Sequence, residues 1–165
     1  FDVVNRVLPT SSLRELIFSR KLMVIGICLG FQVLCRFSAE KQDIHCLNLF
    51  PYQIQKIHQD SRPLVGWKES FASSTGIFEY SKLEELLDNK FFYHTHSYGL
   101  LETPTNSSYC YAGLRLKDGR QVFTALIKDN FAGFQFHPEK SGAAGLRLME
   151  YVIDYFNCHR SKFLI

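Results

Sequence analysis

Two rhythms of apolar and polar positions divide the chain. Residues 22–27 are β-branched and apolar on both sides of the alternation, the pattern of a fully buried strand in a parallel sheet. From Leu29 the apolar residues Leu29, Val33, Leu34 and Phe37 recur at helical spacing. Ser12 and Glu15 form a capping box that opens a helix to about Lys21, and Ser81 with Glu84 opens another through Leu87. Between them residues 53–57 alternate weakly, and a loop around Pro63 and Gly66 carries Trp67. After Asn89 the rhythm is β: residues 90–98, 109–116, 121–128 and 131–136, with Asp118 and Gly119 turning a hairpin between the second and third. A last helix, 142–157, sets Leu146, Met149, Ile153 and Phe156 at core spacing. Strands and helices interspersed in this way predict an α/β fold.

Composition narrows the function more than the fold. With 165 residues, 46% hydrophobic and 21% charged, the chain suits one domain, 1–165, with a proper core, and it shows no repeat or linker. A net charge of +3 with no basic run and no interleaved aromatics argues against nucleic acid. The longest apolar stretch, 22–31, is too short to span a bilayer, so no membrane association is expected. Phe1 stands where an initiating methionine would, so the lack of a visible leader decides nothing. Five cysteines form no disulfide framework, which points to a reducing cytoplasm. His45 and Cys46 have no second ligand pair at metal spacing, and neither metal nor cofactor is expected.

Cys28 lies between Gly26 and Gly30, where a buried strand passes into a helix. Small flanking residues let the backbone turn sharply there and lift the side chain above the sheet, the geometry of a nucleophile elbow. The helix N-terminus is expected to favour the thiolate. The competing reading is a small buried hydrophobe, and Cys35, Cys46, Cys110 and Cys158 are read that way. The second constellation is FQFHPEKSG, 134–142. Pro138 keeps His137 out of the helical region, and side chains at i and i+2 of an extended chain share a side. Glu139 can therefore hold one imidazole nitrogen of His137 while the other faces a nucleophile. In isolation the pair would read as a surface ion pair.

GICLGFQ, HSYG (96–99) and FQFHPEKSG, in this order over essentially the whole chain, resemble class I glutamine amidotransferases, and most of all the glutaminase subunits of imidazole glycerol phosphate synthase. The resemblance implies a mixed sheet flanked by helices, with Cys28 as nucleophile, His137 as acid and base, and Glu139 orienting His137. It further implies contacts to L-glutamine from Gly30, Gln32, Glu40, Ser97 and Tyr98. Ammonia released in bulk water is protonated and lost as a nucleophile, so an ammonia-accepting synthase partner is implied, in a heterodimer of histidine biosynthesis. The family places a strand, a helix, a strand and a glycine-rich oxyanion loop before the position of Phe1. The chain therefore reads as an N-terminally truncated domain, expected to be nearly inactive alone. In RPLVGWK, 62–68, Leu64 and Lys68 replace a histidine and an asparagine usual in that subfamily, whereas Pro63, Gly66, Trp67 and, further on, Lys140 keep its docking pattern. The alternatives are a paralogue serving surface-sugar amidation, a truncated binding module without activity, or another cysteine-elbow hydrolase.

Cys28 alone among the five cysteines should react with a glutamine analogue bearing an electrophilic carbon at the amide position. Peptide mass spectrometry locates the adduct; equal labelling of Cys35 or Cys158, or labelling that survives Cys28→Ser, would contradict the elbow reading.

Overall fold

A computed structural model describes residues 10–19, 21–40, 46–58, 62–74, 80–104 and 109–160. In chain order these form α1 (Thr10–Phe18), β1 (Val24–Ile27), α2 (Leu29–Leu34), β2 (Cys35–Ser38), β3 (Phe50–Lys56), β4 (Leu64–Ser73), α3 (Ser81–Leu87), β5 (Lys90–His96), β6 (Tyr98–Leu100), β7 (Cys110–Arg115), β8 (Gln121–Lys128), β9 (Phe131–Phe134), a 3₁₀ turn (Pro138–Lys140) and α4 (Gly142–Arg160). The strands join into a nine-stranded sheet that runs β2-β3-β6-β8-β7-β4-β5, with β9 bridging β8 and β1. Only β1–β9 and β2–β3 pair in parallel. The α/β expectation holds, as a mostly antiparallel sheet flanked by helices.

Strand β8 organises the centre. Its residues Gln121–Ile127 pair with β7, and the opposite edge is shared: Phe123 faces Leu100 of β6, and Ala125–Lys128 face β9. Beyond β9 the ladder continues as Gln135 N–H donates to the Thr124 carbonyl at 2.7 Å. The chain leaving β9 thus runs toward β6, which brings residues 135–137 and 97–98 to the same end of the sheet. Apolar side chains pack on both faces. One cluster joins Ile17, Phe31, Leu34, Phe50 and Phe131. A second joins Leu83, Leu87, Phe92, Phe134, Phe136, Leu148 and Val152 beneath α3 and α4, and a small third joins Ile57, Leu64, Leu114 and Val122.

Several elements differ from the periodic reading, each for a local reason. Helix α2 stops at Leu34, and Phe37 lies on β2, because the N–H groups of Leu47, Leu49 and Asn48 take the carbonyls of Val33, Leu34 and Cys35. The expected loop around Pro63 is a ten-residue strand, β4, which pairs with β5 and then β7. The single strand expected over 90–98 breaks at Ser97 into β5 and β6, which pair with different partners. Neither capping box forms as read: Ser12 lies inside α1, and Tyr80 rather than Ser81 precedes α3. Glu84 instead accepts from the backbone N–H and hydroxyl of Ser74, tying α3 to the end of β4. On α4 the buried side chains are Leu148, Val152, Tyr155 and Phe156, whereas Leu146 and Ile153 are 60% and 48% exposed. Helical spacing fixes which residues share a stripe, but the burial here is centred about one residue away from the stripe chosen, and Phe156 belongs to both. No described helix is long and apolar enough to cross a membrane.

The shifted stripe makes a direct prediction. Leu148→Ala should destabilise the fold by about 2–5 kcal/mol, as truncation of a buried leucine does. Leu146→Ala should stay within about 0.5 kcal/mol of the parent. Urea denaturation of both variants checks this, and equal losses would contradict the orientation of α4.

Candidate active site

Cys28 sits where β1 ends, with φ 52° and ψ −103°, a backbone region that L-residues other than glycine seldom occupy. Such strain persists only where the surroundings hold it. Here its N–H donates to the Phe134 carbonyl at 2.7 Å, extending the β1–β9 ladder by one bond. Gly26 is required by packing: a Cβ there would lie 2.6 Å from the backbone of Gly30 on the first turn of α2. Gly30 itself borders open space.

The thiol is half-buried, and its pKa is raised above the ordinary value. Burial is the largest cause; the Leu29 N–H pulls the other way, and the carboxylates of Glu40 and Glu139 add to the rise while Lys140 opposes it. The expectation of a thiolate stabilised by the helix terminus is therefore corrected. Helix α2 has only six residues, and removal from water outweighs its field. The resting group is a neutral thiol that needs a base.

The base candidate stands one strand away. His137 and Glu139 meet as read from the sequence, Nδ1 to Oε1 at 2.7 Å. His137 Nε2 is buried and has no hydrogen-bond partner. The backbone around it is well tied. His137 N–H donates to the Tyr93 carbonyl at 2.9 Å, and the His137 carbonyl accepts from the Ser141 hydroxyl at 2.6 Å. Ser141 in turn accepts from Tyr93 N–H at 2.9 Å. Imidazole and carboxylate are thus held on a turn clamped to β5, with one ring nitrogen engaged and the other free.

The remaining expected residues fall into two groups. Gln32, only 2% exposed, accepts from the Ser38 hydroxyl at 2.7 Å and donates to Glu40 Oε2 at 2.8 Å. Its side chain is occupied within the fold and serves to hold the carboxylate of Glu40, whose charge reaches Cys28. Ser97 and Tyr98 form the corner between β5 and β6, both partly exposed. Among the described residues no cluster of metal-binding side chains occurs; His45 lies outside them.

Five residues that contribute here were given no role in the sequence reading. Ser38 completes the Gln32–Glu40 network. The Leu29 N–H reaches the thiol sulfur. Gln135, fully buried, turns Nε2 toward Cys28 Sγ at 3.9 Å and leaves Oε1 unpaired. Its position two residues before His137, on the same side of an extended chain, was the available signal. Finally, His94 and His96 lie buried on β5, His94 Nδ1 3.0 Å from His96 Nε2, and His96 Nδ1 2.8 Å from the Tyr98 carbonyl. Their pKa values are pushed down to about 3 and about 4, chiefly by burial, with His137 among the smaller causes for both.

Residues 4–151 match the family described as glutamine amidotransferase class-I. The chain is 37% identical over 130 residues to imidazole glycerol phosphate synthase subunit HisH of Salmonella typhimurium, covering 77% of this chain and 61% of that protein. The subunit of the same name from Bacteroides thetaiotaomicron is 34% identical over 154 residues, 89% of this chain and 71% of that one. The chain thus spans about three fifths of the Salmonella subunit's length. A crystal structure of a glutamine amidotransferase superposes with a TM-score of 0.57 at 12% identity, over 90% of this chain and 68% of the other, a likeness of fold.

The histidine pair predicts an acid-sensitive stability. Both rings stay neutral when folded but titrate near pH 6.5 when unfolded, so below about 6.5 the unfolded state binds more protons and stability falls with pH. The loss should run to about 1.4 kcal/mol per pH unit for each ring, down to the folded values of about 4 and 3. Urea midpoints measured between pH 7 and 4 should show this slope halved by His94→Phe; an unchanged slope would refute it.

Proposed function

The chain belongs to the class-I glutamine amidotransferase family, and from that premise we propose that it hydrolyses L-glutamine through Cys28, His137 and Glu139 and hands the ammonia to a synthase partner. What supports the reading is the meeting of two strand ends: a strained cysteine on β1, and on the turn after β9 a histidine with Nδ1 bound to Glu139 and a buried, unpartnered Nε2.

The reaction follows from that geometry. Because burial holds Cys28 neutral, the attacking thiolate has to form as glutamine binds, with His137 Nε2 taking the proton and Glu139 stabilising the imidazolium. The sulfur adds to the side-chain amide carbon, and the oxyanion develops near the Leu29 N–H, the donor that follows the nucleophile at an elbow. His137 then gives its proton to the departing nitrogen, ammonia leaves, and a γ-glutamyl thioester remains. Water, deprotonated by the same nitrogen, hydrolyses the thioester to glutamate and returns the thiol. Glu40, held by Gln32, offers its carboxylate to the α-ammonium of glutamine, with Gly30, Ser97 and Tyr98 lining the rest.

Ammonia must reach its acceptor before it is protonated, which calls for a docked synthase. The HisH likeness makes imidazole glycerol phosphate synthase of histidine biosynthesis our choice for that partner, in a heterodimer. Five cysteines without a disulfide framework favour a reducing cytoplasm as the setting. The surface-sugar paralogue rests on Lys68, a cation on β4 where the subfamily has a neutral amide; it would be repelled by a like charge on the partner. Restoration of growth without histidine in a strain lacking its own glutaminase subunit decides between them.

His137→Ala should slow glutamine hydrolysis by about 10²- to 10⁴-fold, the range for loss of a general acid-base. Glutamate release is the measurement. A loss below about tenfold would reduce His137 to a structural residue and remove this mechanism.

A further inference from the structure

The buried histidines of β5 take no part in the proton transfers described above, yet their hydrogen bonds admit one arrangement. A carbonyl only accepts, so His96 Nδ1, 2.8 Å from the Tyr98 oxygen, carries a proton. A neutral His96 then presents a bare Nε2, and His94 Nδ1, 3.0 Å from it, must be the donor. A cation on His94 is opposed by burial, by His96, by Lys68 on the same face of the β4–β5 pair and by His137; on His96, by burial and His137. Both rings therefore hold the Nδ1–H form, the minor tautomer of a free imidazole side chain, fixed here by the bond that each makes.

This row of bonds ends on the corner where the chain leaves β5 for β6. The Ser97 carbonyl accepts from the Ile57 N–H at 2.9 Å, and the Tyr98 carbonyl from His96. The corner's two carbonyls are thereby fixed from opposite sides, one by β3's end and one by the histidine row. His94 is braced in its turn against Phe136, ring centroids 5.7 Å apart, immediately before His137.

Resting on the glutamine-site reading of Ser97 and Tyr98, we propose that His94 is a positioning residue whose Nδ1–H, donated to His96 Nε2, holds the His96 ring against the Tyr98 carbonyl and so places the corner that receives glutamine. The effect falls on substrate binding. His94 does not touch the reacting atoms, and the proton transfers of His137 do not pass through it.

Long-range ¹⁵N–¹H correlation spectra of the ¹⁵N-labelled protein test the tautomers directly. Both rings should appear as neutral Nδ1–H imidazoles that do not titrate between about pH 5 and 8. Nε2–H on either ring, or titration of either in that interval, would overturn the proposal. In His94→Phe, a shape that suits the aromatic surroundings, His96 Nε2 loses its donor and its ¹⁵N resonance should move downfield toward that of an unbonded ring nitrogen. The KM for glutamine should then rise by about five- to tenfold, the value of one buried hydrogen bond, with kcat within about twofold. His94→Asn places an amide N–H where Nδ1 stood and should restore both the His96 signature and the KM; failure of that rescue argues for bulk packing and against positioning. A protein that hydrolyses glutamine but whose His96 spectrum and KM ignore His94→Phe refutes this inference. A protein with the expected tautomers that, docked on its synthase partner, hydrolyses no glutamine refutes the glutaminase reading instead.

Discussion

Everything in the candidate site depends on the parallel pairing of β1 with β9. Its last bond, from the Cys28 N–H to the Phe134 carbonyl, holds the strained elbow open and sets the strand end beside residues 135–137. The pairing is possible because Gly26 and Gly133 lie directly opposite each other. A Cβ on Gly133 would come within 2.2 Å of the Phe31 ring, and one on Gly26 within 2.6 Å of Gly30. Helix α2 therefore settles onto a bare patch of two adjacent strands, and that contact aims the elbow.

A buried active site sets conflicting demands on its ionisable groups. The same burial that shields Cys28 from water denies it a resting negative charge, and the carboxylates of Glu40 and Glu139 oppose that charge as well. A neutral thiol is chemically quiet toward electrophiles. On the function proposed, activation would be tied to the arrival of a substrate and a base rather than built into the cysteine. The histidines behind it are kept neutral by burial, and His137 Nε2 is the buried ring nitrogen that makes no hydrogen bond.

The elbow and the HPEKS turn were legible because each is a local arrangement: residue size on either side of Cys28, and side-chain alternation through Pro138. The β8-centred sheet order was not legible, since strand partners are chosen across long separations. Helix α2 was overextended for the same reason: its end is decided by carbonyls captured by residues 47–49. The face of α4 was misplaced because a helix with Leu146, Leu148, Met149, Val152, Ile153 and Phe156 has more than one apolar stripe, and only the packing against α3 and the sheet selects between them. The resemblance singles out Gln32, but its partner Ser38 lies where the pattern indicates more helix. The histidine pair was visible as HTH, yet nothing in spacing alone tells a buried, mutually bonded pair from an exposed alternation.

The β4–β5 ribbon has a second face, turned away from its histidines, where Val65, Trp67 and Phe91 are each about half exposed and Trp67 stands edge-on to Tyr93 at 6.2 Å. Trp67 is the chain's one tryptophan, and Tyr93 is the residue whose carbonyl anchors His137. The chain's one indole thus stands at the rim of the candidate site. Anything that covers this face strips water from the indole and shifts its emission to the blue, so association at the ribbon announces itself optically without any label.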